Sequence, residues 1–218
     1  GRGAQTEVEE RLRAARTNVL HALSHGARQV VVVTSAGPRE GASTTAAGLA
    51  RVLALSGHRV VLVGGDLRSP SAVGAPGAPG LAEVLVGTAR LSQVLVEGEV
   101  PGLELLPAGD MPGNPSELLG GRNMSDLLHH LAADRIVIID APPVCRFTDA
   151  VVLAEYAGGV LLVARAGRTS AEELREAALA VGQGGGHMLG VVLTNVSDLG
   201  RGSRSAQTAV THAESATV

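Results

Sequence analysis

The sequence predicts an α/β fold in which a parallel β-sheet is flanked by helices on both faces. Short runs of Val, Leu and Ile alternate with segments of helical periodicity along the chain. Most of these runs are continuously apolar, as expected of parallel strands that are buried on both faces. The chain has one Tyr, one Phe and no Trp, so its core must be aliphatic. Its 218 residues suit one large domain or one domain with appendages.

The predicted elements follow one another in chain order. Apolar positions at helical spacing indicate a helix at 7–24, and β-branched runs indicate strands at 29–34 and 59–63 on either side of a helix at 43–56. After a Gly- and Pro-rich loop come short helices from Leu81 and Leu91, a strand at 103–106 and one helix at 116–131. Strands at 135–140, 159–164 and 189–193 alternate with helices at 148–156 and 170–181.

Three regions follow from this pattern. Residues 1–28 form an N-terminal helical region, and residues 29–197 form the α/β domain. Residues 198–218 are rich in Ser, Thr, Ala and Gly without periodicity, which predicts a disordered tail.

Charge and cysteine content exclude several classes of protein. The net charge is −3, and all 18 basic residues are Arg because the chain contains no Lys. This balance and the near-absence of aromatic residues argue against nucleic acid as a partner. Cys145 is the single cysteine, so an intrachain disulfide is impossible and a reducing compartment is expected. No apolar run is long enough to cross a bilayer, so we expect any membrane anchor to lie outside these residues.

Residues 34–45 have the composition of a phosphate-binding loop. They read Thr-Ser-Ala-Gly-Pro-Arg-Glu-Gly-Ala-Ser-Thr-Thr between a predicted strand and a predicted helix, where backbone N–H groups point at an anion. In the pattern G-x-x-x-x-G-K-[ST], Gly41 and Ser43 match but Ala42 replaces the lysine. An ordinary turn with Ser43 as the helix N-cap explains the segment equally well.

Two further strand ends carry an acid. Asp66 follows the second strand, and Asp140 ends the strand at 135–140, which is the arrangement of a metal-binding carboxylate near a phosphate loop. With the hydroxyl of Ser43 these carboxylates suit Mg²⁺, and Arg68 suits a carboxylate or a phosphate. Taken alone, Asp66 is more often a turn residue than a ligand, and the strand-end position of Asp140 is a signal of modest specificity.

Two further motifs are specific when taken together, Asn-Pro-Ser-Glu-Leu-Leu at 114–119 and Ile-Asp-Ala-Pro-Pro-Val at 139–144, and Thr-Asp-Ala follows at 148–150. With the loop at 35–44 and the segment at 63–70, these motifs resemble the cytoplasmic P-loop domain of the bacterial tyrosine kinases, which work with chain-length regulators in capsular and exopolysaccharide assembly. The resemblance spans residues 10–196. It implies a P-loop NTPase-like fold of the deviant Walker A group. It also implies ATP or ADP with Mg²⁺ as ligand, a place at the cytoplasmic face of the bacterial inner membrane, and a transmembrane chain-length regulator domain in the same or a partner chain.

The resemblance assigns roles to individual residues. Nucleotide contacts fall on Arg39, Glu40, Gly41, Ala42, Ser43, Thr44 and Arg68, and metal contacts fall on Ser43, Asp66 and Asp140. The pattern Glu-x-x-Arg-x-x-Arg is present as Glu10, Arg13 and Arg16, and it implies head-to-tail association of subunits into a ring.

Four departures from the family pattern bear on activity. Arg39 stands in place of a glycine, Ala42 in place of the lysine, and Gly64 in place of the first of two aspartates, which leaves Asp66 and Asp140 in a degenerate catalytic site. The tail lacks the family's tyrosine cluster, and the single tyrosine, Tyr156, is expected to pack against a strand. Losing one electrostatic donor such as the loop lysine lowers turnover by roughly 10²–10³.

Three functions follow. The leading hypothesis is a pseudokinase that regulates polysaccharide polymerisation and export through subunit assembly. The alternative is an active ATP-dependent tyrosine autokinase, or an ATPase, that uses Arg39 in place of the lysine. A partition-type ATPase is disfavoured because such proteins generally carry a lysine near the start of the loop.

Overall fold

A computed structural model describes residues 2–24, 28–69, 73 and 77–196, with side chains from residue 12 onward. Its helices are α1 (Arg2–Ser24), α2 (Ala42–Leu55), α3 (Leu81–Val86), α4 (Leu91–Val94), α5 (Pro115–Leu119), α6 (Arg122–Ala132), α7 (Asp149–Ala154) and α8 (Ala171–Gln183). Its strands are β1 (Val30–Ser35), β2 (Val60–Gly64), β3 (Val96–Glu97), β4 (Leu103–Leu106), β5 (Ile136–Asp140), β6 (Gly159–Arg165) and β7 (Met188–Thr194).

The seven strands form one sheet in the order β3-β4-β2-β5-β1-β6-β7. All neighbouring strands are parallel except β3 and β4. Strands β1, β5 and β2 lie side by side at the centre, so their carboxyl ends meet at one edge of the sheet. Ligands of open parallel sheets bind at this edge.

The core has two layers, one on each face of the sheet, as the sequence predicts. Alternate residues of β1 enter different layers: Val31 and Val33 pack with α1 and α2, while Val30 and Val32 pack with α3, α6, α7 and α8. The α/β prediction of a parallel sheet between helices is therefore confirmed.

Two parts of the sequence prediction were wrong. The single helix expected at 116–131 is two helices, α5 and α6, separated at Gly120 and Gly121. Gly121 has extended backbone angles (φ −75°, ψ 160°) and precedes the first residue of α6. Two successive glycines weaken a helix by about 1 kcal/mol each relative to Ala, which favours a break at this point. The sheet also carries an antiparallel edge strand, β3, whose two residues are too short a pattern to predict.

The N-terminal helix packs against the domain. Ala15, Val19 and Leu23 of α1 are buried, and Val19 and Leu23 share the core layer that contains α2. The predicted tail at 198–218 lies outside the described residues. Within the described ranges, no helix is long and apolar enough to cross a membrane.

Candidate functional site

The phosphate-type loop joins β1 to α2 at the carboxyl edge of the sheet. Gly41 precedes the first residue of α2 with φ +101°, and its carbonyl accepts the N–H of Thr45 at 2.9 Å. Helix α2 therefore begins at Ala42, and Ser43 lies in its first turn rather than at its N-cap. Arg39 also has a positive φ, +61°, which glycine adopts at less cost than other residues. The family's glycine at this position thus has a backbone reason.

Glu40 fastens the loop from within. Its side chain is almost fully buried, with 3% of the residue exposed. One carboxylate oxygen accepts the N–H of Gly37 at 3.0 Å, and the other accepts the hydroxyl of Thr169 at 2.7 Å. The loop is therefore tied to the turn that follows β6, 129 residues further along the chain.

Two more contacts tie the loop to the neighbouring strands. The hydroxyl of Thr194, the last residue of β7, donates to the carbonyl of Glu40 at 2.6 Å. The guanidinium of Arg165, the last residue of β6, donates to the carbonyl of Arg39 at 3.2 Å. The loop is thus held in shape by protein groups on its β6–β7 side.

The lysine position of the loop carries no charge. Ala42 is the first residue of α2 and is partly exposed. Arg39, which the alternative hypothesis substitutes for the lysine, has an exposed side chain, and its carbonyl is held by Arg165. Thr44 is exposed and Ser43 partly exposed, at the start of the helix.

Asp140 ends the central strand β5 and is buried, with 1% of the residue exposed. In the sheet it lies opposite Val33 of β1 and Gly64 of β2. It therefore stands between the phosphate-type loop and the loop that follows β2, where the sequence predicts a metal-binding carboxylate.

Gly64 leaves no room for a side chain in this structure. A Cβ built on it would lie 2.8 Å from the backbone nitrogen of Ala108, closer than real Cβ atoms approach backbone. An aspartate here requires the main chain after β4 to move. The site thus lacks the carboxylate, and backbone takes the space beside Gly64.

Asp66 forms a turn with the residues that follow it. Its Oδ1 accepts the N–H of Arg68 at 3.0 Å and the N–H of Ser69 at 3.2 Å. Burial raises the pKa of Asp66 above its ordinary value, and the nearby charge of Asp149 adds to this effect. The one carboxylate left in this loop is thus oriented by the backbone of the same loop.

Arg68 binds a carboxylate in this structure. Its Nε donates to Asp149 Oδ2 at 2.6 Å and its Nη2 donates to Asp149 Oδ1 at 3.0 Å, a two-pronged pair. Asp149 is fully buried. Burial acts to raise the pKa of Asp149, but the hydrogen bonds from Arg68 and Ser116 hold it below its ordinary value. The predicted nucleotide contact of Arg68 would need this pair to open.

The donor set fits Mg²⁺ only in part. Ser43, Asp66 and Asp140 offer the hard oxygen ligands that Mg²⁺ prefers. Among the described residues, no group of three or more His, Cys, Asp or Glu side chains is placed to hold a metal ion. Two carboxylates and a hydroxyl would need phosphate oxygens and water to complete an octahedral shell.

The assembly motif lies on α1. Arg13 is exposed and Arg16 is partly buried, while the side chain of Glu10 lies outside the described part of the helix. Tyr156, the single tyrosine, is partly buried and packs against the core layer of α7 and α8. Its packing agrees with the role that the sequence predicts.

Sequence reasoning did not find the anchoring residues. Thr169, Thr194 and Arg165 hold the phosphate-type loop, and Asp149 and Ser116 hold Arg68. Asp149 belongs to the phrase Thr-Asp-Ala at 148–150, which marked it as part of the family pattern without indicating its partner.

Searches among known proteins give a consistent set of similarities. No family model matches the chain. It is 36% identical over 188 residues to the tyrosine-protein kinase YwqD of Bacillus subtilis, covering 84% of this chain and 79% of that protein. It is 34% identical over 191 residues to the tyrosine-protein kinase ptk of Acinetobacter johnsonii, covering 86% of this chain but only 26% of that protein. The chain thus spans about a quarter of the length of the Acinetobacter relative.

Solved structures agree with these relatives. The kinase domain of the Escherichia coli tyrosine kinase ETK superposes with a TM-score of 0.83 at 30% identity, covering 91% of this chain and 80% of that one. The cell division ATPase MinD of Pyrococcus furiosus superposes with a TM-score of 0.64 at 21% identity, covering 78% and 73%, a likeness of fold alone. Both comparisons support the P-loop NTPase-like fold that the sequence predicts.

Proposed function

Because the chain belongs to the family of bacterial tyrosine-protein kinases, we propose that it is a kinase-like domain impaired in phosphoryl transfer. It acts at the cytoplasmic face of the bacterial inner membrane and regulates capsular or exopolysaccharide polymerisation and export. The observation that carries this proposal is an anchored phosphate-type loop without a cation at Ala42, together with a β2 strand whose last residue, Gly64, supplies no carboxylate. The domain keeps the scaffold of a kinase and lacks the charges that act on the transferred group.

Weak nucleotide binding follows from what remains. The backbone N–H groups at the start of α2 suit the phosphates of ATP or ADP. Ser43, Asp66 and Asp140 would hold the accompanying Mg²⁺, which neutralises phosphate charge when bound. Glu40, Gly41 and the first turn of α2 supply shape, whereas the charge of a lysine at position 42 is missing.

Transfer is the step that the missing groups disable. A loop lysine places a full positive charge on the β- and γ-phosphates while charge develops there. Ala42 supplies no such charge, and removing one donor of this kind costs about 10²–10³ in turnover. Gly64 likewise supplies no carboxylate, and a Cβ on it would lie 2.8 Å from the backbone nitrogen of Ala108.

Assembly is the function that the chain retains in this proposal. Arg13 and Arg16 follow each other by three residues on α1, and both are candidates for pairing with carboxylates of a neighbouring subunit. A head-to-tail contact of this kind closes into a ring when the rotation per subunit divides a full turn. The expected partners are further copies of the chain and a transmembrane chain-length regulator domain.

Calorimetry tests the binding part. We expect Mg-ATP and Mg-ADP to bind more weakly than micromolar, and Asp140→Ala to remove the Mg²⁺-dependent part of that affinity. Asp134→Ala, at a half-exposed carboxylate before β5, serves as the control and leaves binding unchanged. Micromolar or tighter Mg-ATP binding contradicts the impaired site and favours the alternative of an active kinase.

Sedimentation tests the assembly part. We expect the chain to associate as its concentration rises, and Arg13→Glu and Arg16→Glu to prevent this. Arg122→Glu, an exposed arginine on α6, is the matched charge reversal and leaves association intact. If the wild type stays monomeric at high concentration and the reversals leave polysaccharide output in cells unchanged, the assembly role is wrong.

A further inference from the structure

The guanidinium of Arg68 is held by three different neighbours. Both of its bonds to Asp149 use the planar fork, and Nη2 also donates to the hydroxyl of Ser116 at 3.1 Å. The guanidinium carbon lies 4.6 Å from the ring centre of Phe147, the one phenylalanine in the chain. Hydrogen bonds in the plane and a ring on one face together fix the orientation of the group.

The backbone of the same residue holds Asp66. The N–H groups of Arg68 and Ser69 both donate to Asp66 Oδ1. The position of the Asp66 carboxylate therefore depends on where residues 68 and 69 lie. The side chain of Arg68 decides this, because it binds the loop to α7 and α5.

This link joins the loop that carries Asp66 to the segment between Asp140 and Asp149. Asp66 follows β2, whereas Asp149 and Phe147 follow β5, whose last residue is Asp140. The fully buried carboxylate of Asp149 makes the pair costly to open, since a buried charge without its partner is strongly unfavourable. Arg68 thus fixes the position of the loop that carries Asp66 relative to the start of α7.

We propose that Arg68 is a positioning residue whose pair with Asp149 places the Asp66 carboxylate for Mg²⁺, rather than a residue that binds the nucleotide phosphate. The proposal rests on the proposed Mg-nucleotide site. It explains what holds the Asp66 carboxylate in a defined place although Gly64, two residues earlier, supplies no side chain.

Hydrogen exchange tests the positioning step without any ligand. In the full chain, we expect Asp149→Asn to speed exchange of the backbone amides of residues 68 and 69 at least tenfold, because the amide group cannot accept both prongs of the fork. Glu104→Gln, which removes the carboxylate partner of Arg135 at the opposite edge of the sheet, is the matched control and leaves these two amides unchanged. Should far-UV circular dichroism find Asp149→Asn unfolded, Phe147→Leu removes the ring, keeps the carboxylate and is expected to speed the same exchange about threefold. Unchanged protection in the folded variant overturns the proposal.

The metal dependence of ADP binding tests the consequence. We expect wild type to bind ADP several-fold tighter with Mg²⁺ than with a chelator, and Arg68→Gln, like Asp66→Asn, to bring this ratio to one. In Arg68→Gln the metal-free affinity should change less than about twofold, whereas a phosphate-binding arginine would lower it about tenfold or more. Loss of metal-free affinity, or a retained ratio in Arg68→Gln, overturns the positioning role. If wild type binds no ADP under either condition, the proposed function loses its nucleotide site, and the exchange experiment still decides whether Arg68 positions Asp66.

Discussion

Two loops lie at the carboxyl edge of the sheet, the phosphate-type loop after β1 and the loop after β2. Different contacts hold them in place. The phosphate-type loop is held by hydrogen bonds from the ends of β6 and β7 and from the turn after β6, chiefly the hydroxyl of Thr169 on the buried carboxylate of Glu40. The loop after β2 is held by an ion pair, Arg68 with Asp149. Both loops keep these contacts. A charged side chain is missing beside each of them, at Ala42 next to the phosphate-type loop and at Gly64 before the loop after β2. In the proposed function, anchoring and phosphoryl transfer therefore use different residues, so that the charges for transfer can be absent while the scaffold stands.

The ion pair of Arg68 with Asp149 is expected to contribute most to stability. Arg68→Ala leaves the fully buried carboxylate of Asp149 without its cation, at a cost of about 3–5 kcal/mol in the free energy of unfolding. Denaturant titration measures this. Arg59→Ala, from a pair in which the side chains are 56% and 47% exposed, should cost less than about 1 kcal/mol. Equal losses in both variants would mean that the Arg68 pair is no stronger than a surface pair.

The next largest effect on the free energy of unfolding is expected at Gly64, which has no room for a side chain beside Ala108. Gly64→Asp forces the backbone after β4 to shift, and we expect a loss of about 1–3 kcal/mol, as in overpacked sites. Gly113→Asp, where an added Cβ meets open space, is the control and should be nearly neutral. Thermal unfolding compares the two.

Restoring charge at one position should not restore transfer. We expect Ala42→Lys alone to remain without tyrosine phosphorylation, because position 64 still supplies no carboxylate. Phosphotyrosine detection after incubation with Mg-ATP measures this. Full rescue by that single change would show that Asp66 suffices.

The hydrogen bond from Thr169 to Glu40 should contribute less to the free energy of unfolding than the ion pair of Arg68 with Asp149. Thr169→Val removes the hydroxyl that Glu40 accepts and leaves a buried oxygen without that donor, at a cost of about 1–2 kcal/mol. It should also weaken the binding of sulfate or ADP, since the loop loses its tie to the turn after β6. Thr88→Val, at an exposed hydroxyl that donates to a helix carbonyl, should change neither quantity. A Thr169→Val protein with unchanged stability would show that the loop keeps its shape without this anchor.

The smallest effect is expected at Arg39. Arg39→Gly relieves the positive φ of +61° and should change the free energy of unfolding by less than about 1 kcal/mol, in the stabilising direction. Arg168→Gly, an exposed arginine in the turn after β6, lacks this relief and should be slightly destabilising. Denaturant midpoints of the two variants give the comparison.

Local patterns explain which parts of this molecule could be predicted. Apolar runs such as 30–33 and 136–139 reveal buried strands, and the acids and glycines that follow them mark the site edge. The break between α5 and α6 was missed because leucines lie on both sides of Gly120 and Gly121 and no proline separates them. The Glu40–Thr169 and Arg68–Asp149 contacts join residues 129 and 81 positions apart. Only the sheet order brings such residues together, so no local pattern contains them.

The most direct test of the account is phosphoryl transfer by the unaltered chain. The chain is incubated with Mg-ATP carrying a labelled γ-phosphate, with and without an added tyrosine peptide, and labelled phosphotyrosine is counted over time. Tyr156 is partly buried, and Ala42 and Gly64 supply no charge. We therefore expect no label on the chain or on the added peptide. Turnover approaching about 1 s⁻¹, as in ordinary kinases, would contradict it.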